Sequence, residues 1–151
     1  MPTKIEDIYT ALSTLVETQL TAYVRLPNPY ALTENTFLHL DNGYAIAIGP
    51  GNETARYLSC HSTYQRDFGI ALVTKVLTTQ NNMDARELIE TGLLISHDTL
   101  RKEIYKDTTL GGLCITAAVV SDSGIQFIDG DRLKFLAIEL TVSVEYQDII
   151  V

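Results

Sequence analysis

The chain has 151 residues, 46% of them hydrophobic and 20% charged, with 19 acidic against 11 basic residues and a net charge of −8. That length suits one domain with a core large enough to need no metal or disulfide staple, and the composition excludes a disordered chain. The negative charge repels phosphate backbones, which argues against a module that grips DNA or RNA.

The first element in chain order is a helix. Thr3 caps it, with Glu6 three residues on, as a capping box requires. Ile5, Ile8, Tyr9, Leu12, Leu15 and Val16 recur at helical spacing and give one apolar stripe that fades near Leu20. Tyr23–Leu26 reads as a short strand, and Pro27-Asn28-Pro29 breaks regular structure, because two prolines remove donors and fix φ. Tyr30 to Leu40 is mixed, with Phe37, Leu38 and Leu40 packing down.

Tyr44–Ile48 alternates as a strand, and Gly49-Pro50-Gly51-Asn52 reads as the turn of a hairpin. A long run from Arg56 to Leu77 follows, with Leu58, Cys60, Tyr64, Phe68, Ile70, Leu72 and Val76 on one parity and Gly69 as a bend or bulge. Its second half is apolar on nearly both faces, which predicts a central strand.

A second helix opens at Asp84, with Glu87 completing the cap signal. Leu88, Ile89, Gly92, Leu93, Ser96, Leu100 and Ile104 form its expected buried face, with Gly92 there for close packing on the sheet. Gly111-Gly112 opens a turn, Leu113–Val120 is a short apolar strand, and Ser121–Asp131 is a polar connection. From Leu133 to Tyr146 the alternation is strict. Leu136, Ile138, Leu140, Val142, Val144 and Tyr146 share one parity, and Glu139, Thr141, Ser143 and Glu145 the other. One face therefore lies in the core and the other in solvent or a wet channel.

The order helix, two or three strands, helix, two strands predicts an α+β fold: a mostly antiparallel mixed sheet with two main helices packed on one face. No repeat or linker divides residues 1–151, so a single domain is expected. No run approaches about 18 apolar residues, so no membrane span is expected. Nothing at the start reads as a signal peptide, so the expected compartment is the cytoplasm. Cys60 and Cys114 lack zinc or redox spacing and read as reduced core thiols.

Catalytic signals are sparse. Cys60 and His61 are adjacent, so on a strand they point to opposite faces. His39 and His97 have no recognisable partner, and Gly49-Pro50-Gly51 lacks the lysine and spacing of a phosphate loop. Asp122, Asp129 and Asp131 are the best metal candidates, but they lack calcium-loop spacing and read as a solvated loop. No metal, cofactor or catalytic residue is assigned.

The whole pattern resembles the tail terminator proteins of long-tailed, siphovirus-like bacteriophages, and less specifically their head–tail completion proteins. The likeness is carried by the opening helix Ile5–Leu20, by Leu26-Pro27-Asn28-Pro29-Tyr30, by Tyr44–Gly51, and by the closing run from Gly130-Asp131-Arg132-Leu133 to Glu145-Tyr146. The resemblance implies a non-enzymatic virion protein that forms a ring, usually of six copies, capping the finished tail tube. Its neighbours are then its own copies, the tail tube protein and a head completion protein, and its place is the virion tail, assembled in the host cytoplasm. DNA passes through the lumen without specific binding, since an acidic wall repels it. Glu139, Thr141, Ser143 and Glu145 are the expected lumen or subunit-interface face. Arg25, Asn28 and Tyr30, with Asp122, Asp129 and Asp131, mark the expected partner-contact segments. Two other readings stay open: another head–tail completion or tube protein, or a small-molecule- or metal-binding α+β domain using the Asp122–Asp131 loop.

Overall fold

In a computed structural model, residues 4–26, 42–57, 61–76, 83–129 and 134–149 are described. They form α1 (Lys4–Gln19), β1 (Val24–Arg25), β2 (Asn42–Tyr57), β3 (His61–Val76), α2 (Met83–Lys106), β4 (Thr116–Asp122), β5 (Gln126–Asp129) and β6 (Lys134–Ile149). Of the expected features, Thr3, the proline segment, Tyr30–Leu40 with His39, Leu58, Cys60, Leu77, Gly130, Asp131 and Leu133 lie outside the described residues. So do the side chains of Asp84, Glu87, Leu88 and Ile89.

The six strands make one sheet in the order β1-β2-β3-β6-β4, with β5 also on β6. Among the described pairs only β1–β2 is parallel. The fold is thus the expected α+β type, a mostly antiparallel mixed sheet with two helices. The centre is built by β3 and β6, which stay in register from His61↔Ile149 to Val76↔Lys134. Period-2 alternation then sends Phe68, Ile70 and Leu72 to the same face as Ile138, Leu140 and Val142.

Both helices cover that face. Ile8, Leu12 and Val16 of α1 are fully buried one helical turn apart, and Leu93, Leu100 and Ile104 of α2 join them in one cluster with Tyr44, Ile46 and the even-numbered residues of β3 and β6. Glu6 and Asp7 in the first turn of α1 oppose the positive end of its dipole. The helix closes where Leu20 N–H donates to Val16 O at 2.8 Å, and a turn through Tyr23 leads into β1. Neither described helix is long and apolar enough to cross a membrane.

Five expectations are corrected. The second long run does not open at Arg56: Arg56 and Tyr57 end β2, and β3 begins at His61. Gly69 marks neither bend nor bulge, since it pairs in unbroken register with Ala47 and Thr141. Gly49-Pro50-Gly51 is not a hairpin turn: β2 runs through it, and a register shift between Ile48 and Gly51 marks a bulge in a strand that goes on pairing with β3 to Tyr57. Gly92 does not pack on the sheet. It is exposed, and a Cβ placed there meets nothing within 4 Å. The segment 121–131 is not all connection, since β4 extends to Asp122 and Gln126–Asp129 forms a strand on β6.

Candidate interaction surface

The odd-numbered residues of β6 face away from the helices. Register places Glu139 beside Ala71, Thr141 beside Gly69, Ser143 beside Asp67 and Glu145 beside Gln65. On the other flank Thr116, Ala118 and Ser121 of β4 stand next to Glu145, Ser143 and Thr141. The four expected residues therefore share one face. Glu139 is exposed, and Thr141, Ser143 and Glu145 are half-buried.

Short side chains flatten this surface. Ala45 and Ala47 of β2 lie beside Ala71 and Gly69 of β3. The Glu139 carboxylate leans over Gly69, so close that a Cβ on the glycine would sit 2.6 Å from Oε1. Gln65 Nε2 donates to Ser143 Oγ at 2.6 Å. The floor thus carries carboxylates from Asp67, Glu139 and Glu145 among amide and hydroxyl groups, a surface suited to polar contact and to repelling anions.

One end of the same face is apolar. Leu26, Ala45, Val73 and Phe135 are buried together, with Ala137 against them. A Cβ on Gly43 would come within 2.7 Å of Leu26 Cδ2, so the glycine is what lets Leu26 lie down on the sheet. The alternation in β6 did not reveal this patch, because it needs Phe135 and Ala137 on the parity otherwise read as wet.

The described contact residues, Arg25, Asp122 and the backbone of Asp129, do not converge. Arg25 Nη2 donates to the Tyr9 hydroxyl at 2.8 Å, and its guanidinium lies 5.3 Å from that ring's centroid, so α1 holds it at the β1 edge. Asp122 Oδ1 accepts the Gly124 N–H at 2.8 Å, while Oδ2 lies 3.3 Å from His97 Nε2. His97, for which the sequence offered no partner, thus approaches a carboxylate on β4, although its buried Nε2 makes no hydrogen bond. Asp129 ends β5 opposite Lys134, six β6 residues from Leu140, the partner of Asp122. That separates the two aspartates by roughly 20 Å along the strand. Asn28, Tyr30 and Asp131 lie outside the described residues. Among the described residues no three His, Cys, Asp or Glu side chains gather as a metal site.

On the helix side, a groove of about 360 Å³ lies between α1 and the end of α2, lined by Ala11, Thr14, Leu15, Thr18, Gln19, Glu103, Asp107 and Leu110. Both of its carboxylates are engaged. Glu103 takes Lys106 Nζ at 2.7 Å. Asp107 accepts from Thr109 Oγ1 and the Gly111 N–H, bonds that hold its carboxyl below the usual range. These bonds fix a turn in which Leu110, Gly111 and Gly112 all take positive φ, tolerable for the two glycines and strained for the leucine.

Tyr44 and Cys114, both buried and both ionisable, sit on the helix side. Tyr44 OH bonds Glu17 Oε1 at 2.6 Å and Ser13 Oγ at 2.9 Å, and burial followed by the Glu17 bond raises its pKa. Burial, and then the charge of Asp107, push the Cys114 thiol up to about 11. The folded protein therefore keeps a thiol proton that the unfolded chain loses from about pH 9. Stability is expected to hold below that pH and to fall as pH rises toward 11, with Tyr44 adding to the loss above pH 10. Urea unfolding across this window should show the decline, and Cys114→Ala should flatten its lower part. An unchanged slope in that variant would assign the loss elsewhere.

Compared with models of known protein families and with curated proteins, the chain matches none.

Proposed function

We propose that the chain is a non-catalytic ring subunit that caps the tail tube of a long-tailed bacteriophage, ends its growth and presents a docking surface for the head. The observation that carries the reading is the two-sided sheet. Its helix face is closed by α1 and α2, and its other face is a flat polar surface bearing Asp67, Glu139 and Glu145. A closed ring of such subunits with that face inward would let DNA slide without sticking, since like charges repel. Copies of the chain, the tube protein below and a head completion protein above are the partners. The place of action is the virion tail, assembled in the host cytoplasm.

Purified tube protein polymerised with and without this chain tests the reading by electron microscopy. Tubes should stop growing and carry a ring at one end, and a ring of six would have a mass of about 100 kDa from the 16.7 kDa chain. Tubes that elongate unchanged would overturn it. Long cylinders made by the chain alone would identify a tube protein instead.

A further inference from the structure

Both flanks of the described sheet end in strands whose outer edges no other described strand covers. On one side β4 and β5 follow each other along the same flank of β6, β4 against residues 140–145 and β5 against residues 134–137, both antiparallel. Together they form an interrupted edge from Thr116 to Asp129. At its start Ala117 N–H donates to Thr108 O, and beyond that point no described strand pairs with its outer side. Edge strands are commonly guarded by proline, lysine or inward charge. Residues 116–121, Thr-Ala-Ala-Val-Val-Ser, have none of these, and the bulge between Val119 and Ser121 is the one irregularity in the β4 ladder.

On the other side the described pairing of β1 with β2 lies at Gly43 and Tyr44, and Leu26 N–H extends it by donating to Tyr44 O. Along Ala45 to Ile48 no described strand covers the outer flank of β2. Beyond it, the bulge after Ile48, Pro50 with no N–H to donate, and a second bulge after Glu53 interrupt the edge.

Exposed apolar residues concentrate on these two flanks. Of the eight large hydrophobic side chains exposed among the described residues, Ile115, Val120 and Phe127 lie on or beside the β4–β5 edge, and Val24 and Ile48 on the β1–β2 edge. The other three are on α2. Strand direction also matches. The successive antiparallel pairs β2–β3, β3–β6 and β6–β4 make β4 antiparallel to β2. Two copies set side by side in one orientation therefore bring β4 of the first against β2 of the second as an antiparallel pair, with all helices on one side.

We propose that the outer flank of β4 in one copy pairs with residues 45–48 of β2 in the next, so that the sheet continues from subunit to subunit. The occupant is a second copy and not a foreign strand, because one chain supplies both edges with matching direction and matching apolar margins. The contact is head-to-tail, the kind that closes into a ring when its rotation divides a full turn. It names the subunit interface of the ring proposed above and rests on that reading for its biological setting.

The test uses two edge variants, Val120→Lys and Ile48→Lys, at positions already exposed to solvent. A second pair, Ala118→Lys and Ala47→Lys, lies in the same two segments should either of the first fail to fold, as judged by circular dichroism. Sedimentation velocity on the full chain should show wild type assembling, and each variant alone with its dissociation constant raised about tenfold or more. Mixed in equal amounts, the two variants should form dimers that grow no further, since each keeps one intact edge. Wild type that stays monomeric at high concentration would overturn the proposal. So would assembly lost in Val120→Lys but intact in Ile48→Lys, which would report two-fold pairing of β4 with itself. Assembly unaffected in both variants would remove the edge contact and leave the ring reading standing. Edge-dependent assembly that fails to arrest tubes would remove the cap reading and leave the contact.

Discussion

Phe68→Ala is expected to lower the free energy of unfolding by about 3–5 kcal/mol. Phe68 is fully buried in the middle of the sheet, between Ile48 of β2 and Val142 of β6 in register. It belongs to the cluster that joins α1, α2 and the even-numbered strand residues, so no single element can collapse to fill the space its ring leaves. Domains of this size are stable by about 5–15 kcal/mol, so the loss takes a large share of the total. Urea unfolding should show a lower midpoint with an unchanged slope, the mark of lost stability without a change in the surface exposed. Thr141→Ala, one residue from Leu140 but on the opposite face, should stay within about 0.5 kcal/mol of wild type. Equal costs at the two sites would contradict the division of the sheet into a packed and an open face.

That division was legible from β6 alone. Its alternation is long enough that Leu136, Ile138, Leu140, Val142, Val144 and Tyr146 all find the core. A one-residue slip would have turned every one of them to the other face. The stripe of α1 was equally plain, because Ile8, Leu12 and Val16 repeat over three turns. What stayed hidden depends on partners distant in sequence. Phe127 and Ile128 favour a strand, but a four-residue run is too short to announce one, and Gln126–Asp129 is a strand because residues 134–137 of β6 pair with it. Gly92 was assigned to the buried face beside Leu93, yet successive helix positions differ by about 100°. Leu93, Ser96, Leu100 and Ile104 take that face and leave Gly92 outside.

The candidate surface divides the same way. Glu139, Thr141, Ser143 and Glu145 were grouped correctly by parity. Their neighbours Gln65, Asp67 and Gly69 could be found only once the β3–β6 register was known. The approach of His97 to Asp122 joins a helix to an edge strand with no local signal in either.

Gly51 shows most clearly why glycine and proline alone misplaced the hairpin. Turns and bulges both exploit the conformational freedom of glycine, and proline suits either, since neither needs its missing N–H. What separates them is whether the strand goes on pairing afterwards. Here three steps along β2, from Ile48 to Gly51, oppose two along β3, from Phe68 to Arg66, and pairing then resumes at Asn52↔Gln65. The extra residue is accommodated within an interlocked set. Arg66 Nη1 donates to Gly49 O at 3.0 Å, its guanidinium lies 5.4 Å from the Tyr64 ring, and that ring lies 6.0 Å from Tyr146. A Cβ on Gly51 would come within 2.7 Å of Tyr64 Cε1, 2.9 Å of Arg66 Cζ and 3.0 Å of Gln65 O. Gly51→Val is therefore expected to cost about 1–3 kcal/mol, with the midpoint of thermal unfolding falling about 2–4 °C for each kcal/mol. Gly69→Ala provides the contrast. Its new Cβ would meet only the end of the exposed Glu139 side chain, which can swing aside, so the change should be near neutral or slightly stabilising. If Gly51 instead sat at the open tip of a turn, its substitution would meet no neighbours and cost as little as the one at Gly69. A Gly51→Val protein as stable as Gly69→Ala would thus restore the hairpin reading and shorten β2 to its first half.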